Sequence, residues 1–197
     1  MGINFSNGAM DYPSYVYHTV YVQDNVRESF SNGTSSRALD RYQLNNIKVA
    51  TTTDIVHLDC RIYNQFDDHD DEFGYSWEYK NSGGGWTEIN QNKTRGIDIN
   101  GRTGFAGHGT HDRLHSRYGG HTYSWGIIWK PGSISGVSPG AIDVRPFIKC
   151  HGNTGHTMRI NHFDDGYGGN NSEWNRASSS WAMAVVYSTN GVVDDTN

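Results

Sequence analysis

Apolar and polar residues alternate with a period of two along most of the chain. Val16, His18, Val20 and Val22 alternate with Tyr17, Thr19 and Tyr21, and Val56, Leu58, Cys60 and Ile62 alternate with His57, Asp59 and Arg61. Phe73, Tyr75, Trp77 and Tyr79 form a third face, Tyr123, Trp125, Ile127 and Trp129 a fourth, and Met158, Ile160 and His162 a fifth. Trp181, Met183, Val185 and Tyr187 close the series. Runs of this kind predict half-buried strands with one face on a core. They also place Trp77, Trp125, Trp129 and Trp181 on apolar phases, which predicts core packing for these four indoles.

Weaker strand signals fill the gaps, over Val26–Phe30, Tyr42–Val49, Trp86–Ile89, Gly96–Ile99 and Ile142–Lys149. Pro146 lies within the last run and predicts an edge or bulged strand there, because proline cannot donate to a ladder. Turn signals separate the runs: Asn32-Gly33, Gly83-Gly84-Gly85, Asn100-Gly101, Gly119-Gly120, Asn153-Thr154-Gly155 and Asp165-Gly166. No helical period of useful length and no internal repeat is present. About ten strands at this spacing predict an all-β fold, an antiparallel β-sandwich or jelly roll.

Composition supports that reading and narrows the function. Of the 197 residues, 35% are hydrophobic and 13% aromatic, with 24 Gly but four Leu and eight Ala. Leu and Ala build helices, whereas Tyr, Trp, Val and Thr favour strands. Six Trp, twelve Tyr and seven Phe are too many for a disordered chain. A formal net charge of -5 with no basic run disfavours a nucleic-acid partner. No apolar run reaches the length of a membrane span, and the N-terminus carries no visible signal peptide. Cys60 and Cys150 each sit in or at the end of an apolar run; two lone buried thiols are the simpler account, with one disulfide as the alternative.

Catalytic chemistry finds little to stand on. Gly132-Ser133-Ile134-Ser135-Gly136 places its serines one position off the nucleophile elbow. No phosphate-binding loop is present. His108, His111 and His115 fall in one Gly-rich segment and are the candidate metal ligands, but solvated loop histidines explain them more simply. No cofactor is expected. Trp86 and Trp174 lie beside loops and are the candidates for contact with a glycan or a protein partner.

The order of these segments resembles that of short jelly-roll virion proteins and fibre heads of marine and cyanobacterial tailed phages, whose fold is similar to the trimeric tumour-necrosis-factor and complement globular-head family. The resemblance starts at Tyr17–Val22 and continues through the Ser/Thr-rich Ser29–Ser36, the Tyr42–Val49 run, Ile55–Ile62 and Phe73–Tyr79. It ends with Met158–Asn161, a Gly/Asn/Asp-rich loop over Asp164–Asn171, and the closing strand Ser180–Val186. The chain departs from fibre heads in the ten residues after its closing strand and in an N-terminal arm too short for a shaft.

The resemblance implies a non-enzymatic virion protein, a capsid decoration protein or short surface appendage, that forms a homotrimer and meets other capsid or tail components. It would assemble in the host cytoplasm. The alternative is a receptor-binding tail-fibre head or a carbohydrate-binding module for a host glycan. The expected organisation is an anchoring arm over residues 1–15, a jelly-roll domain over 16–187 and a tail over 188–197. Ile3, Phe5, Met10, Tyr12 and Tyr15 are the anchoring candidates. Burying Ile3 or Phe5 against a neighbour is worth roughly 1.5–3 kcal/mol each.

Overall fold

A computed structural model describes residues 15–32, 37–66, 72–81, 83–89, 112–113, 120–133, 140–151, 156–161 and 179–188. Its strands are β1 (Tyr15–Asp24), β2 (Glu28–Asn32), β3 (Arg37–Ala38), β4 (Leu44–Val49), β5 (Ile55–Phe66), β6 (Glu72–Asn81), β7 (Thr87–Glu88), β8 (Asp112–Arg113), β9 (Gly120–Trp129), β10 (Gly140–His151), β11 (His156–Ile160) and β12 (Ser180–Ser188). Short 3-10 turns occur at Asp40–Tyr42 and Pro131–Ser133. The described helical turns are far too short to cross a membrane.

The strands form two antiparallel sheets. The first, sheet A, runs β1-β12-β5-β9, with β11 and then β2 joined to the far end of β5. The second, sheet B, runs β4-β10-β6-β7, with β3 and β8 extending its borders. Numbering β1, β4, β5, β6, β7, β9, β10 and β12 from one to eight gives the orders 1-8-3-6 and 2-7-4-5. These are the two interleaved Greek keys of a jelly roll.

The core lies between the sheets. Val56, Leu58, Cys60 and Ile62 of β5, Trp125, Ile127 and Trp129 of β9, and Met158 and Ile160 of β11 are buried, as their alternation predicts. Sheet B supplies Leu44, Ile47 and Val49 of β4, Trp77 and Tyr79 of β6, and Ile142, Val144 and Ile148 of β10. Ring pairs bridge the sheets: Trp77 and Trp125 have centroids 6.4 Å apart, and Tyr79 and Trp129 5.1 Å. The Trp125 indole N–H donates to the Ser76 carbonyl at 3.3 Å, so one end of this aromatic layer is also hydrogen-bonded across the sandwich. Cys60 is a free, buried thiol, which removes the Cys60–Cys150 disulfide. Burial raises its pKa well above the ordinary thiol value, with Asp59 adding to the effect.

Two expectations need correction. Trp181 is not a core residue: on β12 the buried phase is Ser180, Ala182, Ala184 and Val186, and Trp181 stands half-buried on the outer face. Both phases of β12 are apolar, so alternation could not choose between them. The structure turns the small side chains inward, where β12 lies over β4. Pro146 does not sit on an edge: β10 is a central strand between β6 and the β3/β4 pair. The Pro146 carbonyl accepts the Leu39 N–H at 3.0 Å, so the side of the backbone lacking a donor faces the interval between β3 and β4. Proline costs no ladder bond at that point. A bulge does occur nearby, where Asn45 and Asn46 oppose Asp143. Asn46 takes a φ of 59° there, and its N–H donates to Asp143 Oδ1 at 2.9 Å.

A buried polar cluster closes the point where the edge of β5 passes from β12 to β11. Asn161, at a φ of 53°, donates its backbone N–H to the Tyr63 carbonyl at 3.0 Å. The Tyr63 N–H donates to Ser180 Oγ at 2.9 Å, and that hydroxyl donates to Asn161 Oδ1. The Asn161 amide donates to the Tyr42 hydroxyl at 2.6 Å and toward the Asp24 and Val26 carbonyls. Backbone groups that leave the ladder at this fork therefore keep partners. At the same end, Arg41 reaches Glu28 at 2.8 Å and Asp24 at 3.2 Å, while Asp40 pairs with Arg145 of β10. The adjacent pair Asp40-Arg41 thereby ties the two sheets together.

Candidate interaction face

The two outer faces of the sandwich are built differently, and the difference follows from which side chains each register brings side by side. On sheet B, the ladder sets Asp143 against Lys80 and Arg145 against Glu78. These become ion pairs: Lys80 Nζ to Asp143 Oδ2 at 3.4 Å, and Arg145 Nη2 to Glu78 Oε2 at 2.8 Å. Ser76 Oγ donates to Glu88 at 3.1 Å. Trp86, just before β7, is half-buried, with the Arg145 guanidinium 3.9 Å and the Lys80 ammonium 4.8 Å from its ring centroid. The cations are held by the indole on one side and by carboxylates on the other.

On sheet A, register aligns the outward residues of four strands in rows. Val16, Tyr187 and Ile55 form one row, and Thr19, Val185, His57 and Ile128 the next. Tyr21, Met183, Asp59 and Gly126 follow, then Gln23, Trp181, Arg61 and Ser124. The β1/β12 half of this face is apolar. Tyr21 is 54% exposed, Val16 51% and Ile128, at the β9 edge, 66%; Trp181, Met183, Val185 and Tyr187 are half-buried. The Tyr21 and Trp181 rings lie 6.3 Å apart. Gly126 keeps the β9 side of the face low: a Cβ there would come within 2.8 Å of the Leu58 carbonyl oxygen and 3.3 Å of the Asp59 carboxylate.

Of the candidates drawn from the sequence, Trp86 and Tyr15 fall among the described residues. Trp86 is on the outer face of sheet B, with its ring engaged by two cations. The backbone of Tyr15 belongs to β1, opposite Ser188. Ile3, Phe5, Met10, Tyr12, Trp174, His108, His111 and His115 lie outside the described residues. Among the described residues no group of three or more His, Cys, Asp or Glu side chains is placed to hold a metal. The outer face of sheet A was missed as a site. Its signal was present in Trp181, Met183, Val185 and Tyr187, an apolar phase on a strand whose opposite phase is also apolar.

No protein-family model matches the chain, and no curated protein matches it in sequence. Among solved structures it is similar to VP2 of infectious bursal disease virus. The subviral-particle structure gives a TM-score of 0.43 at 9% identity, covering 96% of this chain and 42% of that one. The T13 viral particle gives 0.41 at 8% identity, covering 94% and 42%. A CocE/NonD family hydrolase from Staphylococcus aureus gives 0.34 at 11% identity, covering 91% and 38%. This chain spans less than half the length of each of these proteins. A likeness of this looseness, common to a capsid protein and a hydrolase, assigns no activity.

Proposed function

We propose that this chain is a non-enzymatic structural protein of a tailed-phage virion, a capsid decoration protein or short surface appendage. In this reading it assembles as a homotrimer through the outer face of sheet A. The observation that carries it is the contrast between a sheet B face closed by its own ion pairs and a sheet A face that presents Val16, Tyr21, Trp181, Met183, Val185, Tyr187 and Ile128 to solvent. An exposed apolar patch beside polar groups is characteristic of an association surface. Cyclic assembly covers such a patch on every copy and leaves none over. The virion context is supported by the order of segments along the chain. Residues 1–15, with Ile3, Phe5, Met10, Tyr12 and Tyr15, would dock the assembly on a capsid or tail neighbour.

The test is the solution mass of the full chain, together with its position in a virion map. A mass about three times 22.1 kDa and density on the capsid surface are the expected results. A protein that remains monomeric at every concentration would overturn the assembly, and absence from the particle would overturn the virion role. A second reading, recognition of a host glycan, draws on Trp86, whose partly exposed ring lies against Arg145 and Lys80. Binding on a glycan array that is lost in Trp86→Ala would favour it.

A further inference from the structure

The outer face of sheet A contains a feature that an apolar association surface alone does not explain. His57, Asp59 and Arg61 run down its middle on β5, between the apolar residues of β12 on one side and β9 on the other. In the outward phases of β1, β12, β5 and β9, Asp59 and Arg61 are the only fixed charges among the described residues. Neither side chain has an ion pair or hydrogen bond with a described residue, whereas on the opposite sheet the side chains of Lys80, Glu78, Asp143 and Arg145 are all paired. Residues two apart on a strand sit about 7 Å from each other. The two charges thus form a short dipole along the strand, half-buried at Asp59 and exposed at Arg61.

We propose that Asp59 and Arg61 set the register of self-association, the carboxylate of each copy pairing with the guanidinium of a neighbouring copy. This rests on the self-assembly reading above. If a second copy covers this face, both charges lose their water, and a desolvated charge without a partner is strongly unfavourable. Around a threefold axis each copy gives its carboxylate to one neighbour and its guanidinium to the other, so a ring of three closes with every charge paired. Apolar contact supplies attraction without direction; two opposite charges at a fixed spacing penalise a slipped or reversed docking, which would set like charges together. Gly126 contributes by leaving the Asp59 carboxylate uncovered on the β9 side, where a Cβ would crowd it.

The test uses the full chain in four forms: the natural sequence, Asp59→Arg, Arg61→Asp, and the exchange Asp59→Arg with Arg61→Asp. Sedimentation across a dilution series reads the assembly, and thermal melting checks the fold. Each single reversal should raise the concentration at which the assembly dissociates by about tenfold or more, because it sets like charges on facing copies. The exchange should return it to within about threefold of the natural chain. An equimolar mixture of the two single variants should recover part of the lost assembly, since a doubly cationic face then meets a doubly anionic one. Where charge reversal disturbs the fold, Asp59→Asn and Arg61→Gln replace it, and their combination should cost less than the sum of the two. An exchange that fails to recover assembly while all forms stay folded overturns the pairing. Recovery in the exchange without recovery on mixing overturns it too, by placing the pair within one chain. A natural chain that never assembles overturns the self-assembly reading itself, which is a different result from assembly that ignores the charges.

Discussion

The two outer faces of this sandwich solve the same problem in opposite ways. Each is the back of a sheet whose front fills the core, and each must end somewhere other than in bare hydrocarbon. Sheet B ends in its own ion pairs. Arg145 and Lys80 find Glu78 and Asp143 across the β6–β10 ladder, and Trp86 lies against both cations. Sheet A leaves Tyr21 and Ile128 mostly exposed and sets Asp59 and Arg61 beside Met183 and Trp181 of β12, with no ion pair to either among the described residues. The proposed assembly turns on this difference. Charges satisfied within one chain leave a surface with little to gain from a partner, while exposed apolar rows gain from being covered.

The sharpest way to break this comparison is to place a charge on the apolar side. Met183→Asp sets a second carboxylate opposite Asp59 in the β12–β5 ladder. Assembly should weaken at least 100-fold, about 2.7 kcal/mol, in sedimentation at graded concentration. The melting curve of the separated chains should move little, since the site is not in the core.

Asn161→Ala acts on neither face. It removes the amide that serves the Tyr42 hydroxyl and the Asp24 and Val26 carbonyls at a fully buried position. Denaturant unfolding should show a loss of about 2–3 kcal/mol. A shift in assembly affinity from this variant, independent of stability, would blur the division between fold and face.

Arg145→Met should lower monomer stability by about 1–2 kcal/mol, because Glu78 and Asp40 lose their cation and Trp86 its stacked guanidinium. Assembly affinity should not change. Equal weakening of assembly would mean that sheet B also joins the contact.

The smallest effect is in acid. Partial burial pushes the Asp24 carboxyl up, but the Val26 N–H and the Arg41 guanidinium hydrogen-bond to its charged form and outweigh that push, leaving its pKa below the ordinary value of 3.8. A depressed folded pKa gives stability that is present above the ordinary value and lost as pH falls through the folded one. Asp24→Asn should therefore be slightly less stable at neutral pH and show a shallower acid unfolding slope below pH about 4.

The architecture was largely legible in the sequence, and the reason lies in strands such as β5. There Val56, Leu58, Cys60 and Ile62 oppose His57, Asp59 and Arg61, so polarity alone tells which side is inside. On β12 both phases are apolar, and only the room inside the sandwich decides that Ala182 and Ala184 turn in while Trp181 turns out. That choice is made by packing against another sheet, which no local pattern records, and it is why the candidate face was taken for core. Pro146 misled for a related reason. Whether a missing N–H matters depends on what lies across from it, and here that is an interval between β3 and β4. The two-residue strands β3, β7 and β8 are too short to show a period. The role of Asn161 is set largely by partners 119 to 137 positions away, and within the Met158–His162 run it reads only as a residue of the polar phase.

Hydroxyl-radical footprinting of the full chain, above and below its assembly concentration, compares the two faces in one experiment. Oxidation of Met183, Trp181 and Tyr21 should fall several-fold on assembly, while that of Trp86 on sheet B should stay constant. Protection of Trp86 with Met183 and Trp181 left as reactive as in the dilute chain would contradict the account and move the association surface to the other face of the sandwich.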